Sequence, residues 1–135
     1  MATEKRNLRP IQYEQYPDDR LFTEEYANNV FFEPSAWDLK LIFGQLDQQQ
    51  GKNLIRQHTA MTLSWPQIKI LSFWLRGYVE FHEHLNGLIQ VPENGIPPEV
   101  TPPTADQKDA DPSVEKAYEI FKRLRAELLA SQPKK

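Results

Sequence analysis

The stretch from Pro66 to Asn86 carries two apolar stripes, and no other feature restricts the fold as much. At helical spacing, one stripe is Ile68, Leu71, Leu75, Tyr78 or Val79, and Leu85. The second is Ile70, Phe73, Trp74, Gly77 and Phe81. Only Lys69, Ser72, Arg76, Glu80 and Glu83 make a clearly polar strip. A helix on the surface of a globular domain shows one apolar stripe. Two stripes require burial on two sides. One small sheet covers one side, so the other needs a second copy, the N-terminal arm or the C-terminal helix. Ile70, Phe73, Trp74, Gly77 and Phe81 are therefore the candidate interface. Gly77 costs the helix about 1 kcal/mol against Ala, and a close helix crossing there would account for it.

The ends of this helix are marked. Ser64-Trp65-Pro66 is the entry, with Pro66 in the first turn, where its missing N–H costs nothing. Gly87 is the stop, with Leu88 folding back as in a Schellman cap. Before the helix the period is two. Tyr26, Asn28, Val30 and Phe32 point one way and Ala27, Asn29, Phe31 and Glu33 the other. After a turn at Glu33-Pro34-Ser35-Ala36, Trp37, Leu39, Leu41 and Phe43 alternate with Asp38, Lys40, Ile42 and Gly44. Gly44 marks a bulge or a close backbone approach. A third strand follows the polar loop Gln45 to Asn53. It places Ile55, Gln57, Thr59, Met61 and Leu63 on one face and Arg56, His58, Ala60, Thr62 and Ser64 on the other. Short connections between the three favour an antiparallel meander. Residues 88–91 are a candidate fourth, edge strand.

The segments around this core are polar. That reconciles 39% hydrophobic residues, a low value, with 11% aromatics, a high one. Residues 1–25 read as an arm, with a polar turn at Asp18-Asp19-Arg20 and with Ile11, Leu21 and Phe22 as docking residues. Residues 92–111 read as a proline-rich, semi-extended linker. A C-terminal helix follows over 112–131, with Asp111 at the cap and Pro112 at its first position. Val114, Ala117, Phe121, Leu124 and Leu128 follow a 3–4 spacing. With Tyr118, the residues Val114, Phe121, Leu124 and Leu128 make the candidate partner-binding face. This stripe is too short for an independent coiled coil and forms by packing on something.

Little in the chain carries catalytic chemistry. There is no cysteine, which excludes disulfides, thiol nucleophiles and thiolate metal sites. Neither a GxSxG elbow nor a glycine-rich phosphate loop is present. Glu80-Phe81-His82-Glu83-His84 is the one cluster of metal-type ligands, with His58 the one further imidazole. Glu80 and His84 share a helix face but His82 does not, so a polar helical turn is the preferred reading. The acidic pairs Asp18-Asp19 and Glu24-Glu25 lie on the arm and read as solvated. Lys52, Arg56 and His58, with Lys134-Lys135, offer a weak nucleic-acid reading against a net charge of −3. Met1 to Pro10 lacks the apolar region of a secretory signal, and no apolar run would span a bilayer, so a cytoplasmic location without membrane insertion is expected.

The stretch from Tyr26 to Ile89, about half the chain, resembles a family of short bacterial and archaeal proteins catalogued as domain of unknown function 3467. The resemblance rests on Tyr26-Ala27-Asn28-Asn29-Val30, Trp37-Asp38-Leu39, Phe43-Gly44-Gln45-Leu46 and Thr62-Leu63-Ser64-Trp65-Pro66-Gln67, ahead of a helix closing at Asn86-Gly87. It implies a prokaryotic protein, and it brings no activity, cofactor or catalytic residue. The layout is also similar to SecB-like export chaperones, by fold analogy alone.

The expectation is an α+β protein. A three- to four-stranded antiparallel meander is followed by one long helix on a face of the sheet, with a tethered C-terminal helix. The regions are an arm (1–25), a core domain (26–91), a linker (92–111) and a helix (112–131). The small core argues for a homodimer. The functional expectation is a non-enzymatic oligomeric interaction or assembly module without cofactor. Its protein partner would be held by the arm or the C-terminal helix. A SecB-like chaperone-type binder and a nucleic-acid-binding dimer are the alternatives.

Overall fold

The computed structural model describes residues 10–18, 20–47 and 54–134. Lys52, Asp19, Lys135 and the Gln48-Gln49-Gln50-Gly51 part of the polar loop lie outside them. The architecture is α+β, as the periodicity predicts. Strands β1 (Asn29–Pro34), β2 (Asp38–Asp47) and β3 (Leu54–Ser64) precede helix α1 (Trp65–Asn86). A 3-10 turn at Glu93–Gly95, α2 (Ala105–Ala110) and α3 (Ser113–Ala130) follow. The chain forms two compact units, Met1–Lys69 and Ile70–Lys135, and α1 spans the boundary.

In the first unit the three strands form an antiparallel sheet in the order β1-β2-β3. Register brings the alternating apolar positions into rows. Val30, Phe43 and Thr59 are neighbours, as are Phe32, Leu41 and Met61, then Pro34, Leu39 and Leu63. The opposite face is mixed, with Phe31, Ile42 and Ala60 beside Glu33, Lys40 and Thr62. Glu33 and Lys40 are directly opposite, 3.7 Å apart, a favourable cross-strand pair. The β1–β2 turn is built on Ser35. Its hydroxyl donates to the Asp38 carboxylate at 2.8 Å and accepts the Trp37 and Asp38 N–H groups at 3.2 and 3.1 Å. Trp65 at the start of α1 donates its indole N–H to the Ser35 carbonyl at 2.9 Å. That bond pins the first helical turn to the hairpin, and no loop separates β3 from α1.

Gly44 fulfils both expectations placed on it. The register shifts between Phe43 and Gly44, because β3 contains one extra residue, His58. Gly44 is also the one buried residue among those described. The bulge corrects the face assignment of β3. Leu46 pairs with Ile55 and Gly44 with Gln57. An extra residue reverses the alternation, so Ile55 and Gln57 lie on the Ile42 face and not with Thr59 and Met61. Strand β1 starts at Asn29 and not at Tyr26. The residues before it are held by bonds around the bulge. Asn28 accepts the Leu46 N–H at 2.7 Å on its side-chain oxygen. The His58 Nε2–H donates to the Tyr26 carbonyl at 2.9 Å.

The second unit corrects two further expectations. Residues 88–91 add no strand, so among the described residues the sheet has three strands. Helix α1 ends at Gly87, with φ of 88°, but the cap is not a Schellman motif. The Gly87 N–H bonds the Glu83 carbonyl at 2.8 Å, the single bond of the αL motif. The Glu83 carboxylate then accepts the Ile89 N–H at 2.8 Å. Within 92–111, Thr104 opens α2 through a capping box with Gln107. At α3, Pro112 is already helical, and Asp111 accepts the Ser113 N–H and hydroxyl at 3.0 and 2.7 Å. Lys108 of α2 reaches Glu115 of α3 at 3.6 Å.

Candidate interaction surfaces

Exposure of apolar side chains is the feature that separates this chain from a self-sufficient globule. Among the described residues no apolar side chain is buried. In α1 only Ile68, Leu71 and Glu83 are half-buried, and the rest is exposed. The two-sided burial that the stripes demand is thus absent from the single chain. The candidate interface residues Ile70, Phe73, Trp74 and Phe81 are 50%, 69%, 56% and 61% exposed. Phe73 and Trp74 meet edge to face, with centroids 5.2 Å apart. Gly77 lies between them and Phe81, and a Cβ placed there would meet nothing within 4 Å. No helix of this chain crosses closely at Gly77 among the described residues. Further along, Leu75, Tyr78, Val79, Leu85 and Ile89 border an open apolar groove of about 640 Å³.

The metal-type cluster on this helix resolves into local roles. Glu80 pairs with Arg76 at 3.6 Å, and Glu83 closes the cap. The Asn86 amide donates to the His82 carbonyl at 3.1 Å. Among the described residues no three His, Asp or Glu side chains converge as metal ligands. Among the same residues no helix is long and apolar enough to cross a membrane.

The candidate partner-binding helix has partial cover from its own linker. Val114, Tyr118 and Leu128 are half-buried, whereas Phe121 and Leu124 are exposed. Arg125 donates from Nε to the Pro97 carbonyl at 2.9 Å. The Val91 N–H donates to the Gln132 side-chain oxygen at 2.8 Å. These bonds tie one end of the 91–97 segment to the C-terminal half of α3 and the other to Gln132, just beyond it. Between Pro97, Pro98 and Val100 on one side and Phe121, Leu124 and Leu128 on the other lies an apolar recess of about 310 Å³. The half-buried Tyr118 carries the exposed Lys122 over its ring at 5.6 Å, a weak cation–π contact.

On the arm, Asp18 forms the expected polar turn with Arg20, with a guanidinium contact of 2.8 Å. The hydrogen bonds from Arg20 hold the Asp18 carboxyl below the usual carboxylate range. Ile11, Leu21 and Phe22 remain exposed. Of the nucleic-acid candidates, Arg56 and His58 line a recess at the bulge together with Gln45, Leu46 and Asp47. A carboxylate beside the two basic side chains works against phosphate binding.

Three features are not apparent from the sequence. Thr104 and Gln107 carry the T-x-x-Q capping signal inside a proline-rich stretch. Ser35 carries a turn signal, but its partner Asp38 is set only by the fold. For His58 as the extra residue of the bulge, the signal was only Gly44 across the sheet. Compared with family models, characterised proteins and solved structures, the chain finds no match.

Proposed function

We propose that this chain is a non-enzymatic, self-associating protein-interaction module, and that the α1 face seats a second copy. One observation carries the reading: Ile70, Phe73, Trp74 and Phe81 stand exposed along one helix face. At about 150–250 Å² for each full aromatic side chain and exposures of 56–69%, Phe73, Trp74 and Phe81 with Ile70 offer on the order of 500 Å² of apolar surface on this one face. A standard interface takes about 800 Å² from each partner, so this face would supply its apolar centre and the neighbouring residues its rim. A second helix would also approach closely at Gly77, where no side chain stands in the way.

The resemblance of residues 26–89 to the domain of unknown function 3467 family belongs to this proposal and adds no chemistry to it. The exposed Phe121 and Leu124 suit α3 to a further protein contact, beside the strip that the linker already occupies. Light scattering on the full chain at micromolar concentration tests self-association. Phe73→Asp or Trp74→Asp is expected to lower the mass while far-UV circular dichroism keeps the helical signal. A monomer at all concentrations, or an unchanged mass in both variants, would overturn the reading.

A further inference from the structure

The two edges of the sheet are not equally protected. Strand β1 is six residues long and ends in Glu33-Pro34. A charge and a proline on a short strand are the usual guards against edge-to-edge pairing. Strand β3 is eleven residues long and exposed except at Thr59 and Leu63, which are half-buried. Its one charged residue is Arg56. That residue lies beyond His58, where the bulge bends the strand and interrupts regular pairing. The remaining six residues, Thr59 to Ser64, pair regularly with β2 from Phe43 to Asp38. They contain no charge, no proline and no glycine. Among the described residues no further strand lies against β3.

We infer that Thr59–Ser64 of β3 pairs antiparallel with the same segment of a second copy, joining two three-stranded sheets into one. The inference rests on the reading that the chain self-associates, and it adds a contact distinct from α1. A strand paired with itself about a two-fold axis is self-complementary, as a closed dimer requires. The alternation of side chains fixes the register. The Phe32, Leu41 and Met61 row continues across the junction when Met61 faces Met61 of the second copy. Thr59 then faces Leu63, and Ala60 faces Thr62. No like charges meet in that register, and Arg56 falls outside it. A second copy suits the edge better than an unrelated peptide, because it doubles the apolar face. Val30, Phe32, Leu41 and Met61 share one sheet face, none of them is buried in the single chain, and that face becomes one surface shared by two sheets.

Hydrogen exchange on the full-length chain tests the inference, at concentrations where light scattering gives monomer and where it gives the assembled form. Alternate amides within 59–64 should slow in the assembled form by at least about tenfold more than the β1 amides do. Met61→Lys sets two cations against each other at the axis and should abolish the protection. In Phe73→Asp, protection at 59–64 should persist at high concentration, although the α1 contact is removed. A mass that rises with concentration while 59–64 exchanges at an unchanged rate would overturn the β3 contact and leave α1 standing. The reverse result, protection at 59–64 with no effect of Phe73→Asp on mass, would overturn the α1 contact alone. A monomer with 59–64 unprotected at every concentration would overturn both.

Discussion

Gly44→Ala is the sharpest test of the bulge, because strand propensity and geometry predict opposite signs. In a strand interior, Ala is ordinarily better than Gly by roughly 0.5–1 kcal/mol. At this position the new Cβ would lie 2.8 Å from the Arg56 carbonyl oxygen, 3.0 Å from the Ile55 Cγ2 and 3.1 Å from the Gln57 Cα. Comfortable carbon contacts lie at about 3.5–4.0 Å. The Ile55 methyl can rotate away, but Arg56 O and Gln57 Cα are backbone. Strand β3 would have to withdraw from β2 by roughly 0.5 Å at the point where the bulge has already thinned the ladder. Overpacking of this kind costs about 1–3 kcal/mol. Against the propensity gain, the net effect is a loss of about 0.5–2 kcal/mol. With a urea slope of about 1–3 kcal/mol per molar, the unfolding midpoint should fall by roughly 0.2–2 M. Trp37 in the β1–β2 turn and Trp65 bonded to that turn report the transition by fluorescence. A midpoint equal to or above that of the parent chain would refute the close approach at Gly44.

Gly77→Ala is the counterpart, since a Cβ there meets nothing within 4 Å. The helix should gain about 0.8–1 kcal/mol, read as a higher helical melting midpoint, while sedimentation shows weaker self-association if a second helix approaches at that point. Thr104→Ala removes the box that opens α2 and should destabilise that turn by about 1 kcal/mol, read from amide exchange at 104–110. Asp111 gives a pH prediction. Hydrogen bonds from the Ser113 hydroxyl and N–H hold its carboxyl below the ordinary 3.8. A folded value lowered in this way stabilises α3 above the unfolded pKa, and the stabilisation is lost as pH falls through the folded one. Helicity should therefore be flat from about pH 7 to 5 and decline below about pH 4, and Asp111→Asn should flatten the decline.

Most of the sheet and both long helices were legible, because each follows from one period. The Leu39, Leu41, Phe43 alternation faces Leu63, Met61 and Thr59, as a two-residue repeat requires. Beyond the bulge the same rule failed for Ile55 and Gln57, since one extra residue reverses every later side chain. Nothing in His58 itself announces that role. Helix α2 was hidden for a different reason. Prolines at 97, 98, 102 and 103 dominate the composition, yet they end one residue before the Thr104 cap. The apolar surfaces were legible as residues but not as contacts. A stripe states that something must cover it, and the identity of the cover lies outside one chain.

The same deficit bears on how the protein becomes stable. A sheet of three strands needs a hydrophobic face packed against something to persist on its own. Here the apolar row of the sheet and both stripes of α1 lie unburied. If a second copy covers either surface, folding and association share one free energy, and the stability of the chain depends on its concentration. For a folded dimer in equilibrium with unfolded chains, each tenfold rise in concentration contributes about 1.4 kcal/mol per mole of dimer. The thermal midpoint should then rise as concentration increases from low to high micromolar. A midpoint independent of concentration would mean that three strands and an uncovered helix hold themselves together, and the physical case for assembly would fall with it.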